Sequence, residues 1–184
     1  MLAFPEVQLL DVAGPLQVFA VANDQSIRPH APSPYRVRVI APAGAQIHAT
    51  AGLAFATEPL PDPAEPLDTL IVAGGQGVMQ AAEDASLVDW LRARAGAARR
   101  TASVCTGAFL LAAAGLLDRR RAVTHWQYCD LLRQRHPAVT VETDPIFVHD
   151  GPVWSSAGVT AGIDLSLALV EEDLGRAVAL GVAR

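Results

Sequence analysis

The chain has 184 residues, 51% hydrophobic and 18% charged, which supplies one domain with a substantial core and excludes a disordered chain. Its formal net charge of −5 gives no electrostatic footprint for nucleic acid, whose affinity rests largely on clustered Lys and Arg, so any DNA contact belongs to another part of the protein. Two cysteines, Cys105 and Cys129, are too few for a disulfide framework, and the opening residues read as strand rather than as a leader, so a cytoplasmic location is the expectation.

In chain order, Leu2 to Phe4 reads as the end of a strand, and the spacing of Leu16, Phe19 and Ala20 predicts an amphipathic helix over Pro15 to Ala22. A Pro-rich loop over Arg28 to Pro34 precedes period-two patterning over Tyr35 to Ala41, where Val37 and Val39 alternate with Arg36 and Arg38. Pro59 to Pro66 is a second surface connection. Thr69 to Ala73 is a strand ending at Gly74-Gly75, and Leu87 to Ala98 is a helix with Leu87, Val88 and Leu91 on one side. Thr101 to Val104 is a strand that stops at Cys105 and passes into an apolar helix, Gly107 to Ala114. The apolar run of residues 108–117 is about half of what a bilayer crossing needs, so no membrane partner is expected.

Trp126 to Arg135 reads as helix, Ile146 to His149 and Val153 to Ser155 as a hairpin about Asp150-Gly151, and Thr160 to Glu171 and Leu174 to Arg184 as two closing helices. The β-α-β-α alternation predicts one domain over 1–184 with a mostly parallel sheet covered on both faces. Leu180 and Val182 still keep helical spacing where the sequence given ends, which suggests a piece of a longer chain.

The chemistry centres on Cys105. A strand delivers it to a helix N-terminus, where free N–H groups and the dipole favour a thiolate, and the small residues Thr106, Gly107 and Ala108 permit the tight turn of a nucleophile elbow. The plainer reading is a small buried cysteine. Asp11, an acid in the apolar run QLLDVAGP, is the candidate partner that shares a proton with the sulfur; its plainer role is to cap the helix near Pro15. Gly74 and Gly75 are candidate oxyanion donors, against the plainer reading of a turn.

His125 is a candidate base or ligand contact, against a helix-start or core histidine. It lies four residues from Cys129, but two ligands without a third and fourth make no metal site, and no metal or cofactor is expected. Asp164 reads as structural and Arg119-Arg120-Arg121 as a solvated turn.

On FPEVQLLDVAGP, VAGG, SVCTGAFLLAAAGLLDRRRAVTHW and SSAGVTAGIDL the sequence resembles the ThiJ/PfpI superfamily, which is class I glutamine amidotransferase-like, over nearly its whole length. The resemblance implies a three-layer α/β/α sandwich with a flavodoxin-like sheet. It reaches two branches: isonitrile hydratases, which add water to R–NC to give N-substituted formamides, and N-terminal domains of AraC-type transcriptional regulators. By resemblance Cys105 is the nucleophile, Asp11 its acidic partner, Thr106 the next pocket residue and Gly75 an oxyanion N–H. Thr106 stands where the protease-like branch has histidine, which weakens a peptidase reading. The last forty or so residues resemble the regulator branch, which implies a small-molecule-sensing domain, a homodimer, and DNA contact only through a C-terminal helix-turn-helix domain; the alternative is a hydratase. A third reading makes Cys105 a sensor of oxidants.

Overall fold

Residues 1–26 and 32–184 are described by the computed structural model. The first residues lie inside the sheet: Leu2 bridges in parallel to Ile40 on one side and Val72 on the other, donating to the Ile71 carbonyl at 2.8 Å and accepting from Ala73 at 3.1 Å. After it come helix α1 (Leu9–Gln25) and strands β1 (Ile40–Ala41), β2 (Gln46–His48), β3 (Ala54–Ala56), β4 (Glu58–Pro59) and β5 (Thr69–Val72). Helices α2 (Val78–Glu83) and α3 (Ala85–Ala97) lead to β6 (Arg100–Val104), α4 (Gly107–Ala113) and β7 (Arg121–Ala122). A 3₁₀ turn (Trp126–Tyr128), α5 (Cys129–Arg135), β8 (Thr140–Val141), the hairpin β9 (Phe147–Asp150) and β10 (Val153–Ser156), then α6 (Ala161–Leu174) and α7 (Arg176–Val182) complete the order.

The main sheet runs β4, β1, the Leu2 segment, β5, β6, β10, β9, parallel except for β9 against β10. β6 is buried along its whole length, because a parallel sheet built from crossovers has both faces covered and no side left for water. One apolar cluster gathers Leu70, Leu91, Phe109 and Leu132 from the α2–α5 side. A second gathers Val12, Phe19, Leu165 and Leu169 under α1, α6 and α7. The protein is a three-layer α/β/α sandwich.

Three elements differ from expectation for local reasons. The first helix starts at Leu9, not near Pro15, and holds Pro15 inside it; Pro15 therefore offers no N–H to the Asp11 carbonyl four residues back. The period-two stretch from Tyr35 forms strand only at Ile40–Ala41; at its start the Tyr35 N–H and carbonyl are both taken by the Asn23 side chain, at 2.9 and 2.8 Å. Arg100 extends β6 by one residue. Of the connection expected over 28–34, residues 28–31 lie outside the described residues.

The turn expected to be merely solvated is tied down: the Arg121 N–H donates to Asp150 Oδ2 at 2.8 Å and its side chain pairs with Glu142. Asp164 sits exposed in the first turn of α6, where a negative charge suits the helix dipole. Among the described residues no helix is long and apolar enough to cross a membrane.

Candidate functional site

β6 ends against β5 and β10, and the next residue, Cys105, turns out of the sheet with φ 56°. A non-glycine residue in the left-handed region is uncommon and marks a constrained turn. The constraint is visible in the backbone bonds: the Cys105 N–H donates to the Ser156 and Ala157 carbonyls at 3.1 and 3.2 Å, and its carbonyl accepts from the Thr124 hydroxyl at 2.8 Å. Gly107 must be glycine here, since a Cβ would stand 2.4 Å from the Val72 carbonyl oxygen. α4 therefore starts pressed on the end of β5.

Asp11 reaches this elbow from the first turn of α1 and is fully buried. Its Oδ2 accepts the Gly74 N–H at 3.1 Å, while Oδ1 is buried with no hydrogen-bond partner. Burial pushes the carboxyl up to about 7, and the Gly74 N–H and the Cys105 thiol pull it back less strongly. It does not cap a helix at Pro15. The Cys105 thiol, 6% exposed, is pushed up to about 12, first by burial and then by the Asp11 charge. The N–H groups of Thr106 and Val159 and the Thr106 hydroxyl favour its anion but do not prevail.

The expected thiolate at a helix N-terminus is thus overridden. α4 is only seven residues long, and burial together with the Asp11 charge pushes the thiol up against the donors around it. Cys105 and Asp11 form a pair in which a second negative charge is strongly opposed, and one proton has two places to sit.

The structure brings Asp11, Gly74, Gly75, Cys105 and Thr106 together. The Gly74 and Gly75 N–H groups are not free oxyanion donors, however: the first is held by Asp11 and the second by Thr106 Oγ1 at 2.9 Å. They brace the acid and the threonine. His125 stands apart, its Nδ1 accepting the Gln127 N–H at 3.4 Å at the start of the 3₁₀ turn, with its ring lodged against Gly158; burial lowers its pKa. Among the described residues no group of three or more His, Cys, Asp or Glu side chains is placed to hold a metal.

Sequence reasoning missed Thr124, Gly158 and Val159. Val159, at φ 52°, is a β-branched residue in the left-handed region, where such side chains are genuine outliers. The run SSAGVT carries one hint, a glycine where a strand passes into a helix. Two cavities, of about 450 and 240 Å³, lie elsewhere. The larger is at the opposite end of the strands, lined by Met1, Tyr35, Leu70 and Arg94 among others.

A cysteine in the left-handed region between a buried parallel strand and a helix, beside a buried acid, defines an α/β/α domain with a cysteine elbow at the carboxyl end of its sheet. The chain belongs to the DJ-1/PfpI family, whose pattern matches residues 1–172. It is 39% identical over 177 residues to isonitrile hydratase of Pseudomonas putida, which covers 95% of this chain and 71% of that protein. It is 36% identical over 149 residues to the HTH-type transcriptional regulator CdhR of Pseudomonas aeruginosa, which covers 81% of this chain but 44% of that protein. The crystal structure of a ThiJ/PfpI family protein from Pseudomonas syringae superposes with a TM-score of 0.86 at 29% identity, covering 99% of this chain and 71% of that one.

Proposed function

We propose that this domain is the small-molecule-sensing part of an AraC-type transcriptional regulator, with the ligand bound at Cys105, Asp11 and Thr106. DNA contact belongs to a helix-turn-helix segment outside these residues, and the domain pairs with a second copy. The observation that carries the reading is the state of the sulfur: a nucleophile acts as thiolate, whereas Cys105 rests as a buried thiol beside Asp11, which has a free buried oxygen. Such a pair suits recognition better than turnover. The match to less than half the length of the regulator CdhR supports it.

The test is the reading frame beyond Arg184. A basic helix-turn-helix there, with DNA binding that a small molecule alters in the parent and not in Cys105→Ala, supports the proposal; a stop codon or a tail without that motif removes it.

A hydratase is the second reading, favoured by the 39% identity to isonitrile hydratase and by an acid near 7 that can both take and give a proton. The Cys105 thiol would pass its proton to Asp11 as sulfur attacks the terminal carbon of R–NC. Asp11 returns that proton to the same carbon, giving a thioformimidate. The carboxylate then activates water to add, and the C–S bond breaks, releasing the formamide and the thiol. Formamide formed from an alkyl isonitrile, and lost in Cys105→Ala, selects this reading; no turnover at high protein concentration selects the sensor.

A further inference from the structure

We infer that His125 is a positioning residue for the Cys105 site: its ring, lodged against Gly158, holds residues 156–159 in the strained turn whose Ser156 and Ala157 carbonyls receive the Cys105 N–H. The inference rests on Cys105 being the centre of the functional site, and it concerns neither the ligand nor the reaction.

The strain needs a cause. A β-branched residue at φ 52° persists only where its surroundings over-determine the backbone. On the N-terminal side, Ser156 and Ala157 accept from Cys105, and Ala157 donates to Ile146 at 2.8 Å. On the C-terminal side, Gly162 is pressed on Val104, where a Cβ would lie 2.7 Å from Cγ1. Between these anchors stands Gly158. A Cβ there would lie 2.1, 3.0 and 3.1 Å from three atoms of the His125 ring, so the histidine fills the space on that side of the backbone. The three nearest atoms there all belong to the ring, so its loss opens the space beside the turn.

His125 is itself anchored to the elbow twice. The preceding residue, Thr124, donates to the Cys105 carbonyl at 2.8 Å. The ring meets Tyr128 edge-on at 5.8 Å, and Tyr128 meets Phe109 of α4 at 6.3 Å. Contacts thus make a circuit from Phe109, in the helix that follows Cys105, through Tyr128 and His125 to Gly158 and the turn whose carbonyls accept the Cys105 N–H. A ring in that circuit acts by its shape, and neither nitrogen is needed.

The experiment follows the rate of Cys105 alkylation by iodoacetamide, by peptide mass spectrometry between pH 7 and 10, in the parent, His125→Ala and His125→Phe. Losing one donor to a thiolate slows the reaction about tenfold at each pH, since hydrogen bonds to charged groups are the stronger kind. His125→Ala is expected to show that loss and His125→Phe to stay within about threefold of the parent. Gly158→Ala attacks the same contact from the other side and is expected to slow the reaction equally; it stands in if His125→Ala does not fold. An unchanged or faster rate in His125→Ala with only a lower Tm overturns the proposal, as does equal slowing in His125→Phe, which would place the effect in the nitrogens. None of these results bears on whether the domain senses or hydrates.

Discussion

The Gly74 N–H donates to Asp11 Oδ2 at 3.1 Å across 63 positions of sequence, so the acid beside Cys105 is held by the backbone of a different loop. A Cβ at Gly74 would stand 2.6 Å from the Thr106 nitrogen and 2.8 Å from Asp11 Oδ2. Gly74→Ala is therefore expected to cost about 3 kcal/mol in urea unfolding, the upper part of the overpacking range, since the obstacle is backbone. It should also abolish ligand response or turnover, because Asp11 must move.

The pH dependence of stability has a definite sign. The folded protein holds the Asp11 proton up to about 7, against 3.8 for an ordinary aspartate, so the folded state is favoured at low pH and loses that advantage as pH rises from about 4 to about 7. Asp11→Asn removes the slope. Its Tm should match the parent near pH 4 and exceed it by several degrees at pH 8, where the difference is roughly 4 kcal/mol at most. Equal Tm values at pH 8 would contradict the assignment.

The same substitution should make the sulfur more reactive. The Asp11 charge is the second cause holding the thiol up, so its removal raises the thiolate fraction at pH 8. Mild peroxide should leave Cys105 largely reduced in the parent and oxidise it in Asp11→Asn, with Cys129 unchanged in both. Rapid oxidation of the parent's Cys105 would instead support the oxidant-sensor reading.

Arg100 is buried where β6 meets α6, donating to Glu172 at 2.7 Å and to Asp173 Oδ1 at 3.0 Å, while Tyr35 donates to Asp173 Oδ2 at 2.9 Å. Arg100→Leu should cost roughly 3 kcal/mol, the low end for breaking a buried pair, because Arg99 still holds Asp173 at 2.9 Å. Glu172→Ala, at an exposed carboxylate, should cost under about 1 kcal/mol. Urea unfolding of the two variants separates the buried pair from the surface one.

Cys105, Thr106 and Gly107 were legible because a β-branched strand, a small-residue turn and an apolar helix are local signals, each written within a few adjacent residues. Asp11 stood out as one charge in an apolar run. The helix start was not legible, since Pro15 reads as a first-turn residue and only packing against the sheet carries α1 back to Leu9. The engagement of the Gly74 and Gly75 N–H groups, the resting thiol and the outlier at Val159 were hidden for one reason. Each depends on contacts between residues 30 or more positions apart, and desolvation has no sequence pattern of its own.

Placing Leu2 between Ile40 and Val72 also sets an order of assembly. On the ribosome the Leu2 segment finds its first neighbour only after about forty further residues have been made, and its second some thirty later. Until then a stretch of apolar backbone has both edges bare. Pairings that join such distant parts of a chain form late, so loss of this segment's side chains should slow refolding as well as weaken the product.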